Sequence, residues 1–235
     1  MKQHHRLGIL FLVISPLLGL LAGIGSSRLM AVDKITVIAP KIGLGKEVAR
    51  QLEVPVGASM LFYPLSRVTE QAQRCYRVRK VSVNRVSPHE LAVTVTAQEP
   101  YAAVVVNGEY TVINREGLCL YRQPTAPPKL PVLVGMAAGR PALGTRFPAD
   151  RMQWIHDVLA GATKVGLREG LQVDLSKLHQ ITVRAEGLQG TLGNVNSLTR
   201  KMTVLGRLME QLREQGARTA AIDVSIPEKP RWNVS

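Results

Sequence analysis

Residues 77–100, RVRKVSVNRVSPHELAVTVTAQEP, decide the fold of the first half of this chain. Apolar and polar residues alternate in both halves of the segment, a pattern typical of two β-strands that each bury one face. Val81 and Val83 mark the buried face of the first strand, and Leu91 and Val93 mark that of the second. The segment therefore predicts an antiparallel β-hairpin.

Two prolines delimit this hairpin. Pro88 lies in the turn segment 86–89, where it fixes its own φ and removes an amide donor. Pro100 ends the second strand, because a central strand cannot accommodate a missing amide. Hairpins occur in many folds, so the neighbouring segments are needed to identify the fold of this chain.

The segments before the hairpin complete a small α+β unit. Residues 35–38, ITVI, read as a strand, and residues 45–53 and 65–75 read as helices with apolar residues at helical spacing. The order is strand, helix, helix, strand, strand. It predicts two helices packed on a three-stranded sheet.

The chain after Pro100 reads as a second, larger α+β unit of short strands and two longer helices. Asn107-Gly108 is a tight hairpin signal, and PTAPPKLP at 124–131 is predicted to be an extended connector. Helices are predicted at 149–164 and 196–215, and strands at 101–106, 110–114, 118–121, 171–175, 180–185, 190–192, 219–226 and 231–234. We expect a sheet of the antiparallel type.

The helix at 196–215 begins after a capping Asn196 or Ser197 and ends at Gly216. Its apolar stripe consists of Leu198, Met202, Leu205, Met209 and Leu212. A stripe of this kind usually packs on the helix's own sheet, and we expect that here. The alternative is a coiled-coil partner.

The amino terminus predicts a membrane anchor. After the short basic segment 1–6, residues 7–27 carry no charge and are long enough to span a bilayer as one helix. The alternative is a cleaved signal peptide, although the apolar run is longer than such peptides usually have. Both readings export everything after residue 30.

Composition limits the partners. The net charge of +13, from 30 basic and 17 acidic residues, favours anionic partners. Aromatic residues make up only 4%, and the basic residues are scattered, so no specific nucleic-acid binding is expected. Cys75 and Cys119 lie outside any CxxC pattern, which argues against zinc; they are either small buried residues, which we favour, or a disulfide pair.

The sequence contains no arrangement typical of catalysis. The histidines beyond the amino terminus, His89, His156 and His179, lie singly in different elements and form no ligand pair. We therefore expect no enzyme activity, no catalytic residue, no cofactor, no metal and no small-molecule substrate. A secreted enzyme with an unrecognised site is the alternative.

Several strings, in order, resemble the FtsQ/DivIB family of bacterial cell division proteins. The first unit carries VDKITV at 32–37, PVGASML at 55–61, YRVRKVSV at 76–83, RVSPHEL at 85–91 and QEPYA at 98–102. The second carries VINREG at 112–117, LPVLVG at 130–135, GTLG at 190–193 with Lys201, and AIDV at 221–224. Tyr76 stands where the family usually has proline, and Asn114 where it has aspartate.

The resemblance implies four segments: a cytoplasmic tail at 1–6, a transmembrane helix at 7–27, a POTRA domain (β-α-α-β-β) at 32–99, and a β domain at 100–235. It also implies a non-catalytic, single-pass scaffold of the bacterial inner membrane. Its extracytoplasmic bulk would lie at the septum and link early and late division proteins, and the bilayer would be contacted through residues 7–27.

The resemblance further implies that FtsB, paired with FtsL, adds a strand to the final strand of the chain. The corresponding residues are Arg231, Trp232, Asn233 and Val234, supported by Ile222, Val224 and Ile226. Trp232 is expected to anchor the partner; alternatively it packs on the end of its own domain. The rival functions are an exported binder of anionic envelope polymer or lipid, and a POTRA-type chaperone of secretion.

Overall fold

The computed structural model describes residues 31–54, 57–59, 63–136, 139–167, 169–185, 187–217 and 219–234. Contacts divide the chain into two compact units, with the boundary between Gln98 and Glu99. Among the described residues, no helix has both the length and the apolar character needed to cross a bilayer. The segment 7–27 lies outside the described residues, so the membrane helix stays a prediction.

The first unit has the element order that the sequence predicts. Its elements are β1 (Lys34–Ile38), α1 (Ile42–Gln51), α2 (Leu65–Gln73), β2 (Val78–Ser87) and β3 (Glu90–Ala97). The sheet order is β1-β3-β2, with β3 parallel to β1 and antiparallel to β2. The helix predicted at 45–53 begins three residues earlier, at Ile42.

The hairpin alternation explains the core of this unit. Leu91, Val93 and Val95 are buried on β3, and Val93 and Val95 pack with Leu44 and Val48 of α1. Cys75 is buried in the same cluster as a free thiol. One face of the sheet is therefore apolar and covered by helices, as the period-two pattern requires.

The second unit is a nine-stranded sheet with two helices. The strands are β4 (Ala102–Val106), β5 (Glu109–Ile113), β6 (Cys119–Gln123), β7 (Val132–Val134), β8 (Gln172–Asp174), β9 (Ile181–Ala185), β10 (Leu188–Gly193), β11 (Ala220–Asp223) and β12 (Arg231–Val234). The helices are α3 (Ala149–Lys164) and α4 (Leu198–Glu214). The sheet order is β12-β11-β10-β9-β8-β7-β4-β5-β6.

The sheet is mixed, which corrects the expectation of an antiparallel type. The pairs β4–β7, β7–β8 and β10–β11 are parallel, and the other pairs are antiparallel. Helix α3 connects β7 to β8 and helix α4 connects β10 to β11, because parallel neighbours need a crossover connection. The segment predicted to be an extended connector contains a turn, in which the Leu130 N–H donates to the Pro127 carbonyl at 3.3 Å.

The apolar stripe of α4 faces the core of its own unit. Leu198, Met202, Leu205, Met209 and Leu212 are all at most 5% exposed. Helices α3 and α4 approach closely where Gly161 leaves room, since a Cβ there would lie 2.6 Å from Met202 Cβ. This confirms packing within the unit over a coiled-coil partner. Cys119 lies in the same cluster, also as a free buried thiol.

The second unit contains an internal duplication that the local sequence patterns do not predict. The arrangement strand, helix, parallel strand, antiparallel strand occurs first as β7-α3-β8-β9 and again as β10-α4-β11-β12. The six strands are neighbours in this order across the sheet. We call the two copies the first and second repeats.

The repeats match at the level of single hydrogen bonds. The Leu175 N–H donates to the Val134 carbonyl at 2.9 Å, and the Val224 N–H donates to the Thr191 carbonyl at 2.9 Å. Further matched pairs of donor and acceptor residues are Ser176–Asp174 with Ser225–Asp223, Leu167–Ala162 with Ala217–Leu212, and Gln180–Lys177 with Lys229–Ile226. Gly135 and Gly193 both have positive φ and both pass close to the matched serines.

Candidate partner-binding edge

The nine-stranded sheet ends at β6 on one side and at β12 on the other. The start of the β6 edge is covered by the segment that leads into α3. The Cys119 N–H donates to the Thr145 carbonyl at 2.9 Å, and the Gly144 N–H donates to the Cys119 carbonyl at 2.9 Å. Arg122 also donates to the Pro141 carbonyl. Such cover prevents strand pairing along this part of the edge.

The β12 edge has no such cover among the described residues. Because the Val224 N–H faces Thr191, the even-numbered residues of β11 direct their backbone groups towards β10. The odd-numbered residues Ala221 and Asp223 therefore exchange hydrogen bonds with β12, at Asn233 and Arg231 respectively. It follows that the backbone N–H and C=O of Trp232 point away from the sheet.

The side chain of Trp232 lies on the helix-bearing face. Its cross-strand neighbour is Ile222, which is 2% exposed in the core, and directly opposed residues share a face. Trp232 itself is 54% exposed. Its equivalent in the first repeat is Val183, which is fully buried because β10 and α4 lie beside it.

The other predicted site residues fall into two groups. Ile222 and Val224 are both buried in the core, and Ile222 is the residue of β11 that pairs with Trp232. Ile226 is 59% exposed, but it lies beyond β11, which ends at Asp223 and not at residue 226. Among the described side chains of the β11–β12 hairpin, Ile226 and Trp232 are therefore the large apolar ones that are exposed.

Polar contacts fix the geometry of this hairpin. The Ser225 N–H donates to Asp223 Oδ1 at 2.8 Å. Hydrogen bonding from the hydroxyl and amide of Ser225 lowers the pKa of Asp223 below its ordinary value, and the charge of Arg231 adds to this effect. On the turn, Glu228 forms an exposed ion pair with Arg200 of α4 at 3.0 Å. These contacts fix the end of β11 and tie the following turn to α4.

The face opposite the helices carries an open depression beside the edge. It has a volume of about 260 Å³ and lies over the small side chain of Ala221. Gln189 and Thr191 of β10, and Arg231 and Asn233 of β12, line its sides. The edge thus has the half-exposed side chain of Trp232 on one face and an open depression on the other.

The sequence offered one signal for the duplication. VDLS at 173–176 and IDVS at 222–225 occupy matching positions, and in both the Asp carboxylate accepts the Ser amide. Four similar residues are a weak signal without the register of the strands. Among the described residues, no group of three or more His, Cys, Asp and Glu side chains is placed to hold a metal ion.

Comparison with known proteins finds a protein of similar sequence. A protein of Streptomyces bingchenggensis (strain BCW-1), named Cell division protein FtsQ, is 26% identical to this chain over 216 residues. The matched region covers 90% of this chain and 75% of that protein. No protein-family model matches the chain.

Proposed function

We propose that this chain, as a member of the FtsQ/DivIB family of bacterial cell division proteins, is a non-enzymatic divisome scaffold. In this proposal it is a single-pass inner-membrane protein anchored by residues 7–27. Its POTRA and β domains lie outside the cytoplasm at the septum. Its β12 edge accepts a strand from an FtsB-like protein that is paired with an FtsL-like protein.

The observation that carries this proposal is the bare edge at β12. Unpaired backbone groups at a sheet edge are a template for another strand, and proteins that do not use such an edge usually cover it. Here β6 is partly covered by residues 144–147, whereas β12 is open at Trp232. Main-chain hydrogen bonds then supply affinity, and alternate side chains supply specificity.

The duplication supports a direction for the proposed partner strand. In the first repeat, the strand equivalent to β12 is β9, and its outer neighbour β10 is antiparallel to it. A partner strand in the matching place would run antiparallel to β12. It would also cover Trp232, as β10 and α4 cover Val183. Burying a half-exposed tryptophan is a typical source of hot-spot energy.

Substitutions at β12 separate the side-chain contribution from that of the backbone. Trp232→Ala is expected to weaken binding of full-length protein to the FtsB–FtsL pair by about 30-fold or more, the effect of losing a hot spot of roughly 2 kcal/mol. Val234→Pro removes an amide that faces away from β11 and should also weaken binding, because a partner strand loses one donor. Deletion of residues 231–235 should abolish binding and leave the fold intact.

Ile38→Ala is the matched control, since Ile38 is exposed to the same degree as Trp232 but lies in the other unit. Affinity is measured by titration in detergent micelles, and localisation by imaging an amino-terminal fluorescent fusion in dividing cells. Wild-type affinity in both the deletion and Trp232→Ala would refute strand addition at β12. A uniform envelope signal of the wild-type fusion would refute the septal role.

A further inference from the structure

A small crevice opens at the carboxyl-terminal ends of β7 and β8, in the first repeat. It has a volume of about 130 Å³. Its apolar walls come from Met136, Trp154, Leu175 and Leu178, and Arg151 of α3 lies at its side. Leu178 is 40% exposed, although its neighbour Leu175 is buried. The crevice thus has apolar side chains on its walls and the Arg151 guanidinium group at its side.

The second repeat shows what fills the corresponding place there. Lys201 of α4 is only 4% exposed, and its ammonium group donates to the carbonyl of Asn194 at 3.3 Å and to its Oδ1 at 2.9 Å. Asn194 directly follows Gly193. The side-chain oxygen of Asn194 therefore supplies an acceptor that keeps the buried ammonium group hydrogen-bonded, as burial of a charge requires.

The first repeat lacks that side-chain acceptor. Arg151 takes the place of Lys201 and donates to the carbonyl of Met136, which directly follows Gly135. Met136 has no oxygen in its side chain, so the acceptor that Asn194 provides is missing. Arg151 is exposed, and among the described residues no carboxylate forms an ion pair with it. A guanidinium group has five donors, so most of those of Arg151 are available to a ligand.

We propose that this crevice binds a segment of another protein in which a carboxylate side chain lies next to a large apolar side chain. The carboxylate pairs with Arg151, taking the role that the Asn194 oxygen has in the second repeat. The apolar side chain enters between Trp154 and Leu178. This is a second docking site, separate from the β12 edge.

Charge and shape favour an anionic peptide over other ligands. The crevice lining contains no carboxylate, and Lys177 stands between two of its lining residues, Ser176 and Leu178. Arginine pairs with carboxylates in a planar, bidentate geometry that an extended peptide can present. The volume fits one large side chain, so the site would recognise a short sequence motif rather than an extended protein surface.

The test uses full-length protein in detergent micelles with Trp232→Phe, which leaves Trp154 as the only tryptophan. The probes are the peptide Ac-Ser-Phe-Glu-Ser-amide and two variants, one with Gln for Glu and one with Ala for Phe. Trp154 fluorescence is followed during titration. We expect the first peptide to bind at least fivefold more tightly than either variant, because each variant removes one of the two contacts.

Substitutions then assign the contacts. Arg151→Gln should abolish the preference for Glu over Gln, and Leu178→Asn should abolish the preference for Phe over Ala. Arg207→Gln, at an exposed arginine of α4, should change neither. Equal binding of all three peptides, or a preference that survives Arg151→Gln, would overturn the proposal. Binding of acetate with the same affinity as the peptide would show an unspecific anion site, and would overturn it too.

Discussion

Gly193→Ala tests the close approach on which the second repeat depends. Gly193 has φ of +72°, and a Cβ at this position would lie 2.8 Å from Ser225 Oγ and 2.9 Å from Ser225 Cβ. A left-handed conformation costs an alanine about 1–2 kcal/mol. Overlap with a packed side chain costs about 1–3 kcal/mol more. We therefore expect Gly193→Ala to lower the free energy of unfolding by about 2–5 kcal/mol.

Two further variants separate these contributions. Gly216 has φ of +81°, and a Cβ added there would have no neighbour within 4 Å among the described residues, so Gly216→Ala should show the conformational cost alone, about 1–2 kcal/mol. Ser225→Gly removes both atoms of the overlap and leaves Ser225 Cα at 3.4 Å, an ordinary contact distance. The double variant should therefore lose less stability than the two single variants lose together. The difference should be about 1–3 kcal/mol.

Tryptophan fluorescence during urea denaturation measures these differences, because Trp154 and Trp232 both lie in the second unit. With a denaturant slope of about 1–3 kcal/mol per molar urea, the expected loss is readily resolved as a shift of the midpoint. Equal costs for Gly193→Ala and Gly216→Ala would refute the steric argument. Strict additivity of Gly193→Ala and Ser225→Gly would refute it independently.

Two predictions concern titratable groups in the cores. Burial lowers the pKa of Lys201 below its ordinary value of 10.5, so the unfolded chain binds that proton more tightly. The free energy of unfolding should therefore rise as the pH increases from the folded-state pKa towards 10.5. Urea midpoints should rise with pH in the wild type and in Lys164→Met. The rise should be absent in Lys201→Met, which would assign the pH dependence to Lys201. Burial likewise raises the pKa of the Cys75 and Cys119 thiols; at pH 8 iodoacetamide should modify neither in the folded protein and both in urea. Fast modification without urea would contradict the buried positions.

Local patterns predicted the elements that depend on local physics. The alternation at 77–100 gave the β2–β3 hairpin, and the stripe from Leu198 to Leu212 gave a helix buried on one side. Asn107 and Gly108 both have positive φ in the tight turn that their types favour. In each case the residues that determine the structure are neighbours along the chain or within one helical turn.

Features that depend on distant segments escaped prediction. Strand β7 has only three residues and no alternation of apolar and polar side chains. Because it pairs in parallel with β4 and β8, no hairpin turn marks it in the sequence. The crevice at Arg151 combines residues near 135, 151 and 176, which only the fold brings together. Of the two expected caps of α4, Asn196 and Ser197, it is Ser197 that occupies the N-cap position, but it has φ of +54° and forms no side-chain capping bond.

The position of β12 in the duplication bears on the proposed pairing of this edge with a partner strand. In a series of stacked units the last one lacks a neighbour and must be capped. Here the last strand has only four residues, begins after Pro230 and carries Arg231, features that limit pairing with arbitrary strands. Yet Trp232 stays half exposed where the first repeat buries Val183. A cap that served solubility alone would place a polar residue there, so the half-exposed tryptophan supports the proposal that a partner strand covers this edge.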